Sequence, residues 1–118
     1  MRLAVGRPNA VTAVIQHLNG SFQVFGDVPA TRPKSFVRVA AAGGEGVVNK
    51  GVLRARVTVE CWDESGVKAS DLAGSVADAL ESAHGFYAEC DAPTNFPDPR
   101  SSQPRAIFVT DVALAVTS

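Results

Sequence analysis

Four residues of this chain belong to types that act as nucleophiles or general bases: Cys61, Cys90, His17 and His84. Catalysis by a cysteine needs a base beside the thiol and a third group that orients the base. Neither cysteine has the sequence signature of such an activated pair. His17 lies off the apolar stripe of its predicted helix, and His84 ends a second predicted helix, where its charge favours the dipole. These residues do not predict an enzyme.

Carboxylates and glycines do not predict a ligand site either. The carboxylates considered as metal ligands are Asp63, Glu64, Asp91, Asp98 and Asp111. They lack the alternating spacing of a calcium loop, and no histidine pair stands near them. The glycine cluster Gly43, Gly44 and Gly46 is followed by a predicted strand, whereas a phosphate loop needs a helix N-terminus. We therefore expect no metal and no cofactor.

The stretch "RARVTVECW", residues 54–62, alternates strictly and predicts a strand with two different faces. One face carries Arg54, Arg56, Thr58, Glu60 and Trp62. Sheets that bind nucleic acid usually display several aromatic side chains, and here Trp62 stands alone in a chain of net charge −1. A solvated face would leave the tryptophan unexplained. Because tryptophan and arginine are enriched at interface hot spots, we predict that this face touches a neighbouring subunit.

The elements that must position these residues follow the order α-β-β-β-α-β-β. "PNAVTAVIQHLNG" predicts the first helix, capped by Asn9, and "DESGVKASDLAGSVADALESAHG" predicts the second. The strand "RAIFVTDVALAVT" is apolar on both faces, which is typical of a strand covered on both sides. The predicted fold class is α+β, an antiparallel sheet with two helices packed on one face. The 118 residues suit one domain, with residues 1–8 as an N-terminal extension.

Two further features predict contacts with partners. Segments 43–51 and 92–104 are predicted to be long loops, and loops of that length tend to be functional or disordered, so a flexible loop is the alternative to a partner contact. Phe96 stands between prolines as an expected anchor, and the other loop candidates are Glu45, Asn49, Lys50 and Arg100. On the second helix, Gly74, Ser75 and Asp78 form a small-residue face that permits close approach. A glycine inside a helix costs about 1 kcal/mol relative to alanine and tends to have a packing reason.

The chain contains no apolar run of about 18 residues that would predict a membrane span. Its N-terminus has a single arginine and a short apolar stretch broken at Gly6 and Pro8, so we predict no secretory signal. The protein is expected in the cytosol, or in an assembly that forms there. Cys61, on the apolar face of its strand, is expected to be a buried thiol.

Several segments in fixed order resemble the tail-terminator proteins of long-tailed bacteriophages, in the form found in phages of actinobacteria. They are "RPKSFVRV", a "GG" connection, a hairpin, "RARVTVECW", an "A..LA..V.DAL" helix and the closing "PRAIFVTDVALAV". The resemblance runs from about Pro29 to the C-terminus and rests on the order and spacing of structural residues. Residues before Pro8 are not part of the family pattern.

The resemblance implies a structural protein of the phage neck, without cofactor or active site. Tail terminators assemble as a hexameric ring on the finished tail tube, stop its polymerisation and offer a surface to the head-side connector. The expected partners are copies of this chain, the tail tube protein and the head–tail connector or stopper proteins. Genome DNA would pass through the lumen without specific binding, and Glu45 and Asp98 could help to keep that lumen acidic.

Two alternatives remain open from the sequence. The first is a tail-completion or head–tail connector protein of the same fold. The second, from a different class, is a small ligand-binding or nucleic-acid-binding α+β domain, whose affinity for nucleic acid would fall steeply with salt.

Overall fold

In the computed structural model the described residues are 9–43, 46–49 and 51–115, with the backbone alone for 46–49. They form the helices α1 (Ala10–Leu18) and α2 (Gly66–Glu81). The strands are β1 (Val24–Phe25), β2 (Phe36–Ala41), β3 (Gly46–Asn49), β4 (Val52–Trp62), β5 (Phe86–Cys90), β6 (Thr94–Asn95) and β7 (Arg105–Ala115). The predicted α+β class and the order of its main elements are confirmed.

The described strands make one sheet in the order β1-β2-β4-β7-β5, with β3 added to β4 and β6 added to β7. The central pair is β4 and β7, which are antiparallel over eleven residues each, from Val52 opposite Ala115 to Trp62 opposite Arg105. β2 and β5 flank this pair, also antiparallel. The edge pair β1 and β2 is parallel, so the predicted antiparallel sheet is in fact mixed.

Both helices pack on one face of the sheet, as predicted. Val14 and Leu18 of α1 and Val76 and Leu80 of α2 are fully buried against the apolar side chains of β4, Val57 among them. Burying each such side chain stabilises the fold by about 1.5–3 kcal/mol. His17 joins the helices, because its Nε2 donates to the Ala79 carbonyl oxygen at 2.8 Å.

The helix ends follow from local chemistry. The Asn9 side chain accepts a hydrogen bond from the Thr12 amide at 3.2 Å, as expected of the predicted cap. Ser65 caps α2 by accepting from the Lys68 amide at 3.1 Å. Gly85, which follows α2, has φ +99°, a left-handed conformation that L side chains rarely adopt.

The two predicted long loops both contain strand. Residues 46–49 are β3, which turns back onto β4 as the outer arm of a hairpin. Residues 94–95 are β6, paired with β7, so the segment 92–104 is attached to the sheet. The glycine and proline content predicted the turns, but it gave no indication of these two short strands. Glu45, Lys50 and the predicted extension 1–8 lie outside the described residues, as does the side chain of Asn49.

No helix among the described residues is long and apolar enough to cross a membrane.

Candidate partner interface

The sheet face opposite the helices, called here the outer face, has no described helix over it. The strand register places Arg54, Arg56 and Thr58 of β4 beside Ala113, Asp111 and Val109 of β7 on this face. Tyr87 and Glu89 of β5 continue the same rows. The helices therefore pack against one face of β7, and no described helix packs against its other face.

One end of the outer face is polar and open. Arg56 Nε lies 3.3 Å from Asp111 Oδ1, and both side chains are more than half exposed, so this pair adds at most about 1 kcal/mol to folding. Tyr87 is 61% exposed, and its hydroxyl donates to Glu89 Oε2 at 3.2 Å, which raises the pKa of the tyrosine. Arg54 joins these four residues around a depression of about 520 Å³.

The middle of the outer face is apolar. Ile107 and Val109 of β7 and Thr58 of β4 are only partly buried there. With Phe96, which is 55% exposed, they line a trough of about 450 Å³. The predicted exposure of Phe96 is thus confirmed. A sheet face rich in β-branched side chains normally packs against another layer of protein.

At the other end of the outer face the prediction for Trp62 is wrong. Its side chain is 1% exposed, stacked on Phe36 with ring centroids 5.2 Å apart, and is not available to a neighbour. The guanidinium groups of Arg32 and Arg105 lie 5.1 and 5.2 Å from the centre of its ring. The segments on either side of Arg32 and Arg105 fold over this end of the sheet, so the chain itself covers its only tryptophan.

Glu60, also predicted at a subunit interface, is buried within the same end. Its carboxylate accepts from Trp62 Nε1 at 3.2 Å and from Arg38 Nη1 at 3.0 Å, with Arg105 Nη1 at 3.8 Å. A buried carboxylate of this kind needs such partners to offset its desolvation. Glu60 therefore organises the interior of its own subunit.

Four arginines surround the buried Glu60 and Trp62. We call these four the arginine cradle: Arg32, Arg38, Arg100 and Arg105. With Val28, Glu60, Trp62 and Asp98 they line a cavity of about 480 Å³. Hydrogen bonds from the Ser101 hydroxyl and amide lower the pKa of Asp98, with a smaller contribution from the nearby charge of Arg105. Arg100, predicted as a loop contact, lines the mouth of this cavity.

The predicted interface residues of α2 lie on the opposite side of the molecule. Ser75 and Asp78 are exposed and Gly74 is partly exposed. A Cβ built on Gly74 meets no atom within 4 Å, so nothing in the described part of the subunit requires a glycine there. α2 therefore presents a small-residue face to the outside, separated from the outer face by the thickness of the sheet.

The cysteines do not form a reactive pair. Burial raises the pKa of the Cys61 thiol to about 12, and burial raises that of Cys90 as well. Both thiols are free, and Cys90 Sγ lies 3.4 Å from Thr110 Oγ1. The predicted burial of Cys61 is confirmed. The described residues hold no group of three His, Cys, Asp or Glu placed to bind a metal.

The sequence predicted Arg54 and Arg56 on a shared face, and the structure brings them together with Tyr87 and Asp111. Arg38 alternates in β2 as Arg56 does in β4, which places it on the same face, and Arg100 was predicted as a loop contact. The sequence analysis missed Arg32 and Arg105. Arg105 begins β7, and its alternation with Ile107 and Val109 could have placed it on the outer face, whereas Arg32 lies in a proline-rich segment for which periodicity gives no position.

No protein-family model matches the chain, and no curated protein matches it with significance.

Proposed function

We propose that this protein is a structural assembly subunit that forms a ring capping the tail tube of a long-tailed bacteriophage. The observation that supports it best is the outer face, with apolar Ile107, Val109 and Phe96 between a polar end and the arginine cradle. An exposed apolar surface rimmed by polar residues is typical of a protein–protein contact. The resemblance to tail terminators suggests which assembly this contact belongs to, the ring at the end of the tail tube.

Ring geometry requires two different surfaces that match each other, because such contacts are heterologous and close by rotation. The outer face and the exposed face of α2 lie on opposite sides of the sheet, as a head-to-tail contact needs. Both surfaces carry charges that a contact could pair. Arg54 and Arg56 stand on the outer face beside Glu89 and Asp111, and α2 exposes Asp71, Asp78 and Glu81 together with Lys68. A neighbour's α2 against the outer face would bring its carboxylates to the two arginines.

Gly74 supports the same contact. A mid-helix glycine costs about 1 kcal/mol relative to alanine, and packing within the subunit gives no reason for it. Close approach of a second chain to the helix backbone at Gly74 and Ser75 would give that reason.

In this proposal the ring stops growth of the tube protein and presents its other rim to the head-side connector or stopper proteins. Genome DNA crosses the lumen without specific contacts, and the assembled protein belongs to the virion neck. The protein acts by contact alone and carries out no reaction. A tail-completion or head–tail connector protein of the same fold would form the ring without stopping tube growth.

The first test is the mass of the purified protein over a concentration series, by light scattering behind a sizing column. We expect a species near six times 12.3 kDa. A protein that stays monomeric at every concentration, and still does so when tube ends are added, would contradict the proposal.

The second test separates the contact from folding. Arg56→Glu should lower the ring mass and leave the monomer folded, since the ion pair with Asp111 is exposed. The matched control is the double variant Arg56→Glu with Asp111→Arg, which restores an ion pair inside the subunit. If the double variant recovers the ring, the effect of Arg56 is internal and the proposed contact is wrong.

The third test places the protein within the neck. Added to polymerising tube protein, a terminator should shorten the tubes in proportion to its concentration, whereas a completion protein should leave their length unchanged. Binding to DNA that falls steeply with salt would instead favour a nucleic-acid-binding domain.

A further inference from the structure

The arginine cradle has more hydrogen-bond donors than the subunit can satisfy. Arg38 and Arg105 share the buried carboxylate of Glu60, and Arg38 Nε is buried without a hydrogen-bond partner. Arg105 also donates from Nε to the Phe96 carbonyl oxygen at 3.0 Å and lies 3.8 Å from Asp98.

At the mouth of the cavity the arginines have even fewer charged acceptors. Arg32 donates to Ser101 Oγ at 3.2 Å and to Gln103 Oε1 at 3.1 Å, both neutral acceptors. Arg100 makes no ion pair within the described part of the chain. The four guanidinium groups therefore face two carboxylates, Glu60 and Asp98, and the cavity retains a positive charge.

An arginine fork fits a carboxylate or a phosphate, because both accept two parallel hydrogen bonds from it. One feature favours a carboxylate on a protein over a nucleic-acid backbone. The ring of Trp62 is covered on its faces and is 1% exposed, so no base can stack on it.

We propose that the arginine cradle binds a carboxylate side chain presented by an acidic segment of a partner protein. Arg32 and Arg100 at the mouth capture the carboxylate, and the partly buried Arg38 and the buried Arg105 hold the positive potential that attracts it. This site goes beyond the ring contact and does not require the ring, because every residue that lines it belongs to one subunit.

Trp62 supplies the measurement, since it is the only tryptophan and forms one wall of the cavity. A hexaglutamate peptide titrated into the full-length protein at low salt should change the tryptophan fluorescence in a saturable way. Arg32→Ala and Arg100→Ala should each weaken binding of the peptide by about tenfold or more, the loss expected for a hydrogen bond to a charged group. Lys68→Ala, an exposed cation on α2, is the matched control and should bind like the wild type.

Four results would overturn the proposal. The peptide could produce no fluorescence change, or it could bind the arginine variants as tightly as the wild type. A fluorescently labelled six-nucleotide thymidine strand could bind more tightly than the peptide, measured by anisotropy, which would assign the cradle to phosphate.

The mass of the ring formed by Arg100→Ala shows whether the cradle also takes part in subunit assembly. A normal ring that has lost the peptide supports an external partner, and loss of the ring assigns the cradle to a neighbouring subunit and overturns the proposal.

Discussion

Trp62 shows why a residue type that is common at interfaces need not lie at one. Alternation in β4 fixes which face a side chain occupies, but it carries no information about what covers that face. The covering residues, Arg32 and Arg105, are distant from Trp62 in sequence, Arg32 in a proline-rich segment without periodicity and Arg105 at the start of β7. The face of Trp62 could therefore be predicted, whereas its burial under the same chain could not.

Trp62→Ala should lower the free energy of unfolding by about 3–5 kcal/mol, because it removes a buried aromatic side chain and a donor to Glu60. Urea denaturation followed by circular dichroism measures this loss. Phe96→Ala is the control, since Phe96 is largely exposed, and it should cost less than about 1 kcal/mol. A wild-type midpoint for Trp62→Ala would show that the tryptophan is not packed as described.

The two thiols should differ in reactivity. Cys61 is buried, with a pKa raised to about 12, whereas Cys90 is only partly buried. Because the thiolate is the reactive form, iodoacetamide at pH 8 should label Cys90 first and Cys61 only after the protein unfolds. Peptide mass spectrometry of a labelling time course reports both rates, with urea-unfolded protein as the control. Equal rates in the native protein would contradict the buried position of Cys61.

At the scale of elements, the helices and the long strands were predictable, because their apolar periodicity and caps are local properties. Asn9 and the alternation of β4 are examples. The short strands β3 and β6 were not, since a pairing of two to four residues is set by the neighbouring strand rather than by its own sequence.

Gly74→Ala should act in opposite directions on the subunit and on the ring. Because a Cβ at this position meets no neighbouring atom, the substitution should stabilise the subunit by about 1 kcal/mol through helix propensity. If a second chain approaches the helix there, the same methyl group should weaken the ring. Thermal unfolding of the monomer and light scattering of the assembly measure the two effects. A stabilised subunit with an unchanged ring would remove Gly74 from the contact.

The turn at Asp98 should depend on pH. Hydrogen bonds from Ser101 lower the pKa of Asp98 in the folded chain, so its contribution to stability is present above its ordinary value of 3.8 and is lost as the pH falls below it. Protection of the Ser101 and Ser102 amides from hydrogen exchange should therefore decrease as the pH falls below 3.8, through the lowered pKa of Asp98, after correction for intrinsic rates. Asp98→Asn should lack this pH dependence, and a wild type without it would contradict the assignment.

At the scale of the whole molecule, one side of the sheet is closed by helices and the other is open. The sequence indicated this asymmetry, because β7 is apolar on both faces while the sequence predicted two helices packed on one face of the sheet. It did not indicate that the open side is divided into a polar end, an apolar trough and the arginine cradle. That division depends on the crossing segments near Arg32 and Asp98, whose paths are set by tertiary contacts.

The bonds from Arg32 to Ser101 and Gln103 join residues that are 69 and 71 positions apart in sequence. Contacts of such long range form slowly, because the intervening chain must first be ordered. Both partners at the mouth of the cradle follow α2 and β5, so a nascent chain cannot complete the cradle until residues 101–103 have been synthesised. A partner that binds the cradle as proposed would therefore select subunits in which these distant segments have already met.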